Sequence, residues 1–244
     1  MSAGPRPGRG SRRHLRGLGL WLLALLLTLL VFRTWPQTDP QVSRLFHDPT
    51  QPTRFIGDAH PLVHAVYQVV PHVGRWLSLI SLVLVCIPRR RFGAGGPQRW
   101  RGRAIGLLAM LVLGLGLMVN WALKEHVGRP RPVHTLEFGG TVAHQPVGQV
   151  STLCETNCSF VSGHAATGFV LIGIGLGAGP IVRRRWWAIG LVSGLLVGAG
   201  RVMQGGHFLS DILFAGLFMA GLALVVRWAW VGWRWRRRSR RRPA

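Results

Sequence analysis

Three short stretches of this chain carry residue types that could do chemistry together. The first is Lys124-Glu-His-Val-Gly-Arg-Pro-Arg131-Pro132, the second Ser159-Phe-Val-Ser162-Gly163-His164, and the third Arg201-Val-Met-Gln-Gly-Gly-His207-Phe-Leu-Ser-Asp211. Lys124 is the sole lysine among 30 basic residues, and Asp211 is the one acidic residue beyond Glu155. Lys124, Arg131 and Arg201 would supply three cations to a shared pocket. Ser162 is placed to cap a helix starting at Gly163. Gly163 lets a ligand approach the backbone N–H groups of that positive helix end. His207 and Asp211 are four apart, so on a helix they share a face. The carboxylate can hold one imidazole nitrogen protonated and leave the other as a nucleophile or base. His164 adds a second imidazole, able to donate a proton. The set amounts to an anion site with a nucleophile and an acid. Three cations and a helix end are more donors than a carboxylate needs, so a tetrahedral phosphate fits better.

Apolar helices must position these stretches. Apolar runs cover residues 18–32, 65–87, 104–123, 163–182, 186–200 and 207–231. A membrane-crossing helix needs about 20 such residues. The first run follows five arginines, as a signal peptide would, but lacks a small-x-small cleavage site and reads as a retained span. The second is interrupted by Pro71, His72 and Arg75. Glycine is frequent in the last three runs, which suits close helix packing in lipid. Of the 30 basic residues, 22 fall in 1–17, 88–103, 183–185 and 227–244. The positive-inside rule puts those segments in the cytoplasm and leaves 33–64, 124–162 and a short turn at 201–206 outside. The expected fold is all-α: one domain over residues 1–244, a six-transmembrane helix bundle with both termini cytoplasmic. Its basic tails are 1–17 and 232–244. All three chemical stretches then sit at the outer rim, and ionisable groups at membrane depth are costly enough to imply function.

Composition agrees. The chain has 244 residues, 48% apolar and 15% charged, against about 25% charged in soluble domains. High hydrophobicity excludes disorder, and three cysteines exclude a disulfide scaffold. A net charge of +23 raises nucleic-acid binding. The basic residues instead flank apolar runs rather than paving one face, so no nucleic-acid partner is expected.

The three stretches resemble the type 2 phosphatidic acid phosphatase family of integral membrane enzymes. The family pattern is K-x6-R-P, then P-S-G-H, then S-R-x5-H-x3-D. Lys124 to Arg131-Pro132 fits the first part completely. Ser162-Gly163-His164 fits the second, with Val161 where proline is usual. Arg201, His207 and Asp211 fit the third, with Gly200 where serine is usual. The resemblance covers roughly residues 120–215 by motif and the rest by topology. It implies a two-step hydrolysis of a lipid phosphomonoester or diphosphate, without metal or cofactor. In that scheme His207 attacks phosphorus, Asp211 orients it, and His164 protonates the leaving oxygen. Lys124, Arg131, Arg201, Ser162 and Gly163 hold the phosphate. The stretch Cys154-x3-Cys-Ser-Phe-Val-Ser-Gly-His resembles the second motif of the bacterial lipid A phosphatases in this family. Undecaprenyl diphosphate, phosphatidylglycerol phosphate and phosphatidate remain alternatives, because motif residues read phosphate and not lipid tail. The near absence of lysine points to a GC-rich bacterium. The expected location is the cytoplasmic (inner) membrane, multi-pass, with the site facing the periplasm.

Blander readings compete at several positions. Lys124 could snorkel at a span end, and Asp211 could neutralise a structural arginine. Arg129 lies off the family pattern and reads either as a substrate contact or as a solvated loop charge. His60 and His64, near Asp58, have metal-ligand spacing but no third ligand in register, so they read as an interfacial segment. Tryptophans at span ends read as an interfacial belt. Cys154 and Cys158 could form a disulfide closing the outer loop in an oxidising compartment, which requires an irregular backbone there. Cys86 reads as a packing residue. A non-catalytic anion transporter or scaffold would want polar groups at the midplane and paired broken helices, and neither pattern is present. No protein partner is indicated.

Overall fold

The computed structural model describes residues 9–51, 53–87 and 97–239. The basic tails beyond these limits and most of the 88–103 segment lie outside the described residues. Every regular element among the described residues is helical, with only isolated bridges joining His47 to Phe55 and Thr135 to Val142. The order is α1 (Arg9–Thr34), α2 (Thr38–Arg44), α3 (Ile56–Ala59), α4 (Pro61–Cys86) and α5 (Pro97–Ala109). A π-helical stretch, Met110–Leu123, continues α5. Two short 3₁₀ turns follow in the long loop, then α6 (Gly163–Phe169), α7 (Ile172–Leu176), α8 (Pro180–Met203) and α9 (Leu209–Ser239).

Five helical stretches are long and apolar enough to cross a membrane: His14–Thr34, Pro61–Cys86, Trp100–Leu123, Pro180–Met203 and Leu209–Arg234. At 1.5 Å per residue the shortest reaches about 31 Å, which matches a hydrocarbon core of about 30 Å. Their outward faces carry large apolar side chains such as Leu23, Leu26 and Leu30 on α1, Leu79 and Ile80 on α4, and Leu195 and Leu196 on α8, all exposed. Water would not tolerate so continuous an apolar surface, and lipid does. Pro71 does not end α4, which runs unbroken past it. Cys86 is exposed at the end of α4 and is not the packing residue expected.

The fourth run departs from expectation. A single span over 163–182 was expected. The helix instead tightens between Val170 and Ile174 to i→i−3 hydrogen bonds and stops at Leu176. Residues 163–176 rise only about 21 Å, short of a full crossing. The stop has a chemical cause. Gly177 and Gly179 lower helix propensity, and Pro180, which lacks an N–H, is suited to the first turn of α8. Ile181, Val182 and Arg183 to Arg185 therefore belong to α8 rather than to a separate loop.

The paired helices α6 and α7 fill the middle of the bundle. Phe169, Ile172 and Leu176 are buried there against Leu107 and Met110 from the third span and Phe214 and Met219 from α9. Glycines bring the backbones close. A Cβ on Gly168 would lie 2.6 Å from the Cα of Gly194, and one on Gly173 would lie 2.7 Å from the carbonyl oxygen of Gly106. Close approach of this kind replaces the missing hydrophobic drive between helices in lipid. On the periphery, α1 is pinned to α9 where Trp21 Nε1 donates to the Leu217 carbonyl at 2.7 Å.

At one end the segments 35–60 and 124–162 form a cap over the bundle. Its apolar part is Phe55, Phe138 and Phe208, with the His47 ring beside Phe55 and Phe138. Its polar part centres on Arg129, which is 1% exposed. One η-nitrogen of Arg129 donates to Asp211 at 2.6 Å and to Ser210 Oγ at 2.7 Å. The other donates to Asp39 on α2 at 2.8 Å, while Nε donates to the Gln145 carbonyl at 2.9 Å. Asp39 also accepts from the Ser210 backbone N–H at 2.9 Å, at the start of α9. Arg129 is therefore neither a substrate contact nor a solvated loop charge; it is a buried tie between α2, the outer loop and α9. Arg129→Met would leave two carboxylates buried without their cation, a loss of about 3–5 kcal/mol of stability. Thermal unfolding in detergent checks this, and a variant as stable as the parent would refute it.

Candidate active site

His207 lies in the turn just before α9 and is 1% exposed; Asp211, in the first turn of α9, is fully buried. Asp211 is saturated. One oxygen takes Arg129, and the other accepts from Ser159 Oγ at 2.6 Å and from the Phe208 N–H at 2.8 Å. The Phe208 bond caps the start of α9. His207 Nδ1 is 3.7 Å from the Asp211 carboxylate, beyond hydrogen-bond length. Its direct partner is the Ser159 carbonyl, at 2.8 Å. A carbonyl only accepts, so Nδ1 carries the proton and Nε2 keeps its lone pair. Asp211 thus acts on His207 by charge and by holding Ser159, not by the direct bond expected. Ser159 went unassigned in the sequence, although it opens the second stretch.

Ser162 caps α6 as expected, its hydroxyl accepting from the Ala165 N–H at 3.3 Å. Its own N–H donates to the Asp211 carbonyl at 3.3 Å, which joins the second stretch to the third. A Cβ added to Gly163 would sit 3.5 Å from Lys124 Nζ, so the first stretch meets the second there. His164 stacks on Tyr67, the chain's single tyrosine, with ring centroids 5.0 Å apart. The Arg201 guanidinium lies 4.4 Å from the centre of the same Tyr67 ring. Arg201 is held from behind by Gln204 at 2.5 Å, and Gln204 donates to Asp58 at 2.8 Å. Tyr67 and Gln204 carried no role in the sequence, and Asp58 was weighed only beside His60 and His64, because Tyr67 meets His164 and Arg201, and Asp58 meets Gln204, only across long stretches of chain.

Lys124 and Arg131 converge on one residue. Lys124 Nζ donates to the Asn157 side-chain oxygen at 2.8 Å, and Arg131 donates to the Asn157 backbone carbonyl at 2.9 Å. Asn157 has a φ of +49°, one of the few non-glycine residues here in the left-handed region, which asparagine tolerates well. It sits inside a loop closed by a Cys154–Cys158 disulfide, Cα atoms 5.8 Å apart, where the backbone is irregular. Burial, with Arg131 and Arg201 nearby, pushes the Lys124 ammonium down to about 8. Among the described residues no carboxylate hydrogen-bonds Lys124, Arg131 or Arg201. Inside the same shell, His164 Nε2 and Arg201 Nε are buried without a hydrogen-bond partner. Unsatisfied buried groups of this kind are rare and call for an occupant. A groove of about 400 Å³ leads from Lys124, Gly163 and His164 down between α4, the π-helical stretch and α6, past Asn120, Gly74 and Ser78. The site can therefore bind a multiply charged oxyanion, present a neutral imidazole to it, and accommodate an apolar body beside it.

Among the described residues no cluster of three or more potential metal ligands occurs. Of the His60–His64 pair, His64 is hydrogen-bonded to Gln68 at 2.8 Å.

Comparison with known proteins is informative over most of the chain. A lipid A 4'-phosphatase of Francisella tularensis subsp. novicida (strain U112) is 38% identical over 204 residues, covering 82% of this chain and 89% of the relative. A lipid A 4'-phosphatase of Rhizobium leguminosarum is 33% identical over 216 residues, covering 80% and 91%. A phosphatidylglycerophosphatase B of Bacillus subtilis (strain 168) is 30% identical over 171 residues, covering 67% and 72%. No solved structure shows a match of comparable strength. The model of the PAP2 superfamily matches residues 105–236, a stretch that holds every residue of the three chemical clusters, and the chain belongs to that superfamily.

Proposed function

We propose that this protein is a metal-independent lipid phosphatase. It hydrolyses a lipid phosphomonoester or diphosphate through a phosphohistidine, with lipid A phosphate as the leading substrate. The observation that carries the reading is the geometry at His207. Its Nδ1–H is engaged by the Ser159 carbonyl, which frees Nε2 as a nucleophile, within a shell that also contains Lys124, Arg131 and Arg201. The relatives named lipid A 4'-phosphatase support the choice of substrate, and the phosphatidylglycerophosphatase keeps glycerophospholipid phosphate as its alternative.

In the first step Nε2 of His207 forms a bond to phosphorus as the bond from phosphorus to the lipid oxygen breaks. His164 gives its proton to that oxygen. In the second step water attacks phosphorus, His164 takes a proton from the water, and the P–N bond breaks to release inorganic phosphate. Lys124, Arg131, Arg201 and the N–H groups at the start of α6 neutralise the phosphoryl oxygens throughout. Asn157 releases the two cations that it holds when phosphate arrives. The groove beside the site takes the apolar part of the lipid. The bundle lies in the bacterial cytoplasmic membrane as six segments, with α6 and α7 as the short fourth. Both termini are cytoplasmic and the site faces the periplasm.

His207→Ala is expected to abolish phosphate release from lipid A and the other candidate lipids, a loss of at least about 10³-fold. Wild type should keep its rate in chelator. Release of phosphate by the variant at the parental rate would overturn the mechanism. Substrate binding without any turnover by the wild type would overturn the enzyme reading.

The pH profile gives an independent check. Lys124 is cationic below about pH 8 and loses its charge as pH rises through that value. Phosphate binding by the free enzyme should weaken across the same interval, so kcat/KM falls on the alkaline side. Lys124→Arg keeps the charge at high pH and should move that alkaline limb upward by a unit or more. An unmoved limb would assign it to another group.

A further inference from the structure

All seven acidic residues of this chain lie at the site end of the molecule. Asp39, Asp48, Asp58, Glu125, Glu137 and Glu155 are in the cap, and Asp211 opens α9. The opposite end carries arginines, and none of the seven acidic side chains lies there. At that end a cavity of about 320 Å³ opens between α1, α7, α8 and α9. Its polar wall is His14, Arg183 and Arg227, and Trp187 forms part of its apolar wall. A neighbouring cavity of about 210 Å³ brings in Arg101 and Arg234.

The placement matches a membrane boundary. Arg227 is 16 residues along α9 from Asp211, and Arg183 is 18 residues along α8 from Arg201. These separations rise about 24 and 27 Å, close to the thickness of the hydrocarbon core. With the active site at one lipid–water boundary, the cavity sits at the other. Arg227 is oriented rather than free: it donates to the Leu176 carbonyl at the end of α7, at 2.7 Å. The guanidiniums of Arg183 and Arg227 come from different helices and meet in one concavity, where each repels the other unless an anion intervenes. Arg184 and Arg185, next in sequence, are exposed and line no part of it.

We infer that this cavity is a binding site for the headgroup of an anionic phospholipid of the leaflet opposite the active site. The phosphate sits between Arg183 and Arg227, Trp187 packs against the glycerol region, and the acyl chains run along the apolar faces of α1 and α8. Basic pockets between membrane helices recognise lipid headgroups by this chemistry. The bound lipid would knit α1, α8 and α9 together where no ion pair occurs among the described residues.

Native mass spectrometry and thermal unfolding of the full-length protein, delipidated in detergent, test this. Phosphatidylglycerol should bind about tenfold more tightly than phosphatidylcholine and raise the unfolding midpoint. Arg183→Gln keeps the Arg227–Leu176 bond and should cost about tenfold in phosphatidylglycerol affinity. Arg184→Gln/Arg185→Gln removes more charge from the same surface and should change it less than about twofold. Equal losses in the two variants would mean that the lipid reads surface charge and not the cavity, which overturns the proposal. So would a lack of preference for phosphatidylglycerol, or protection by inorganic phosphate equal to that by the lipid.

Discussion

The buried guanidinium of Arg129 between two carboxylates is the constraint on which the rest of the site depends. Asp211 must be ionised to act on His207, yet it is fully buried, and a lone buried carboxylate would sooner take up a proton than stay charged. Arg129 supplies the compensating charge at 2.6 Å. Arg129 in turn needs a second anion, and Asp39 provides it from α2. Charge balance at the heart of the site is thus set by a helix about 170 residues upstream of it in the chain. The same three residues fix where α9 begins, because Asp39 and Asp211 both accept from backbone N–H groups there. The turn that presents His207 is tied down by these bonds.

How much of this could be read from the sequence depended on the range of each interaction. The three stretches, the apolar helices and the Ser162 cap rest on local spacing; the structure brings the three stretches together, caps α6 with Ser162 and has five helices long and apolar enough to cross a membrane. Asp39, Ser159, Tyr67 and Asn157 act through partners far along the chain, and neither periodicity nor motif marks such pairings. Arg129 illustrates the limit. Its neighbours Lys124 and Arg131 fit the family pattern, but only the fold reveals that the Arg129 side chain turns inward. The shortened fourth helix is a different case. Gly177, Gly179 and Pro180 were visible stop signals, and the apolar character of the following residues masked them.

The remaining cations are arranged on the opposite principle. Arg129 is fully satisfied, whereas Lys124, Arg131 and Arg201 are held by neutral groups: an amide, a backbone carbonyl, a glutamine and an aromatic face. Neutral partners fix the geometry of the cations without cancelling their field. The arrangement keeps the positive potential available for a ligand.

Asn157 has one more consequence. On the proposed mechanism, inorganic phosphate is left among three cations once water has cleaved the phosphohistidine, and such a product would tend to linger. An amide tethered beside two of them by the Cys154–Cys158 loop competes at high local concentration for the same positions. On that mechanism expelling the spent ion would cost less, because the places it vacates would be refilled at once, and the tether would favour rapid recycling over tight retention.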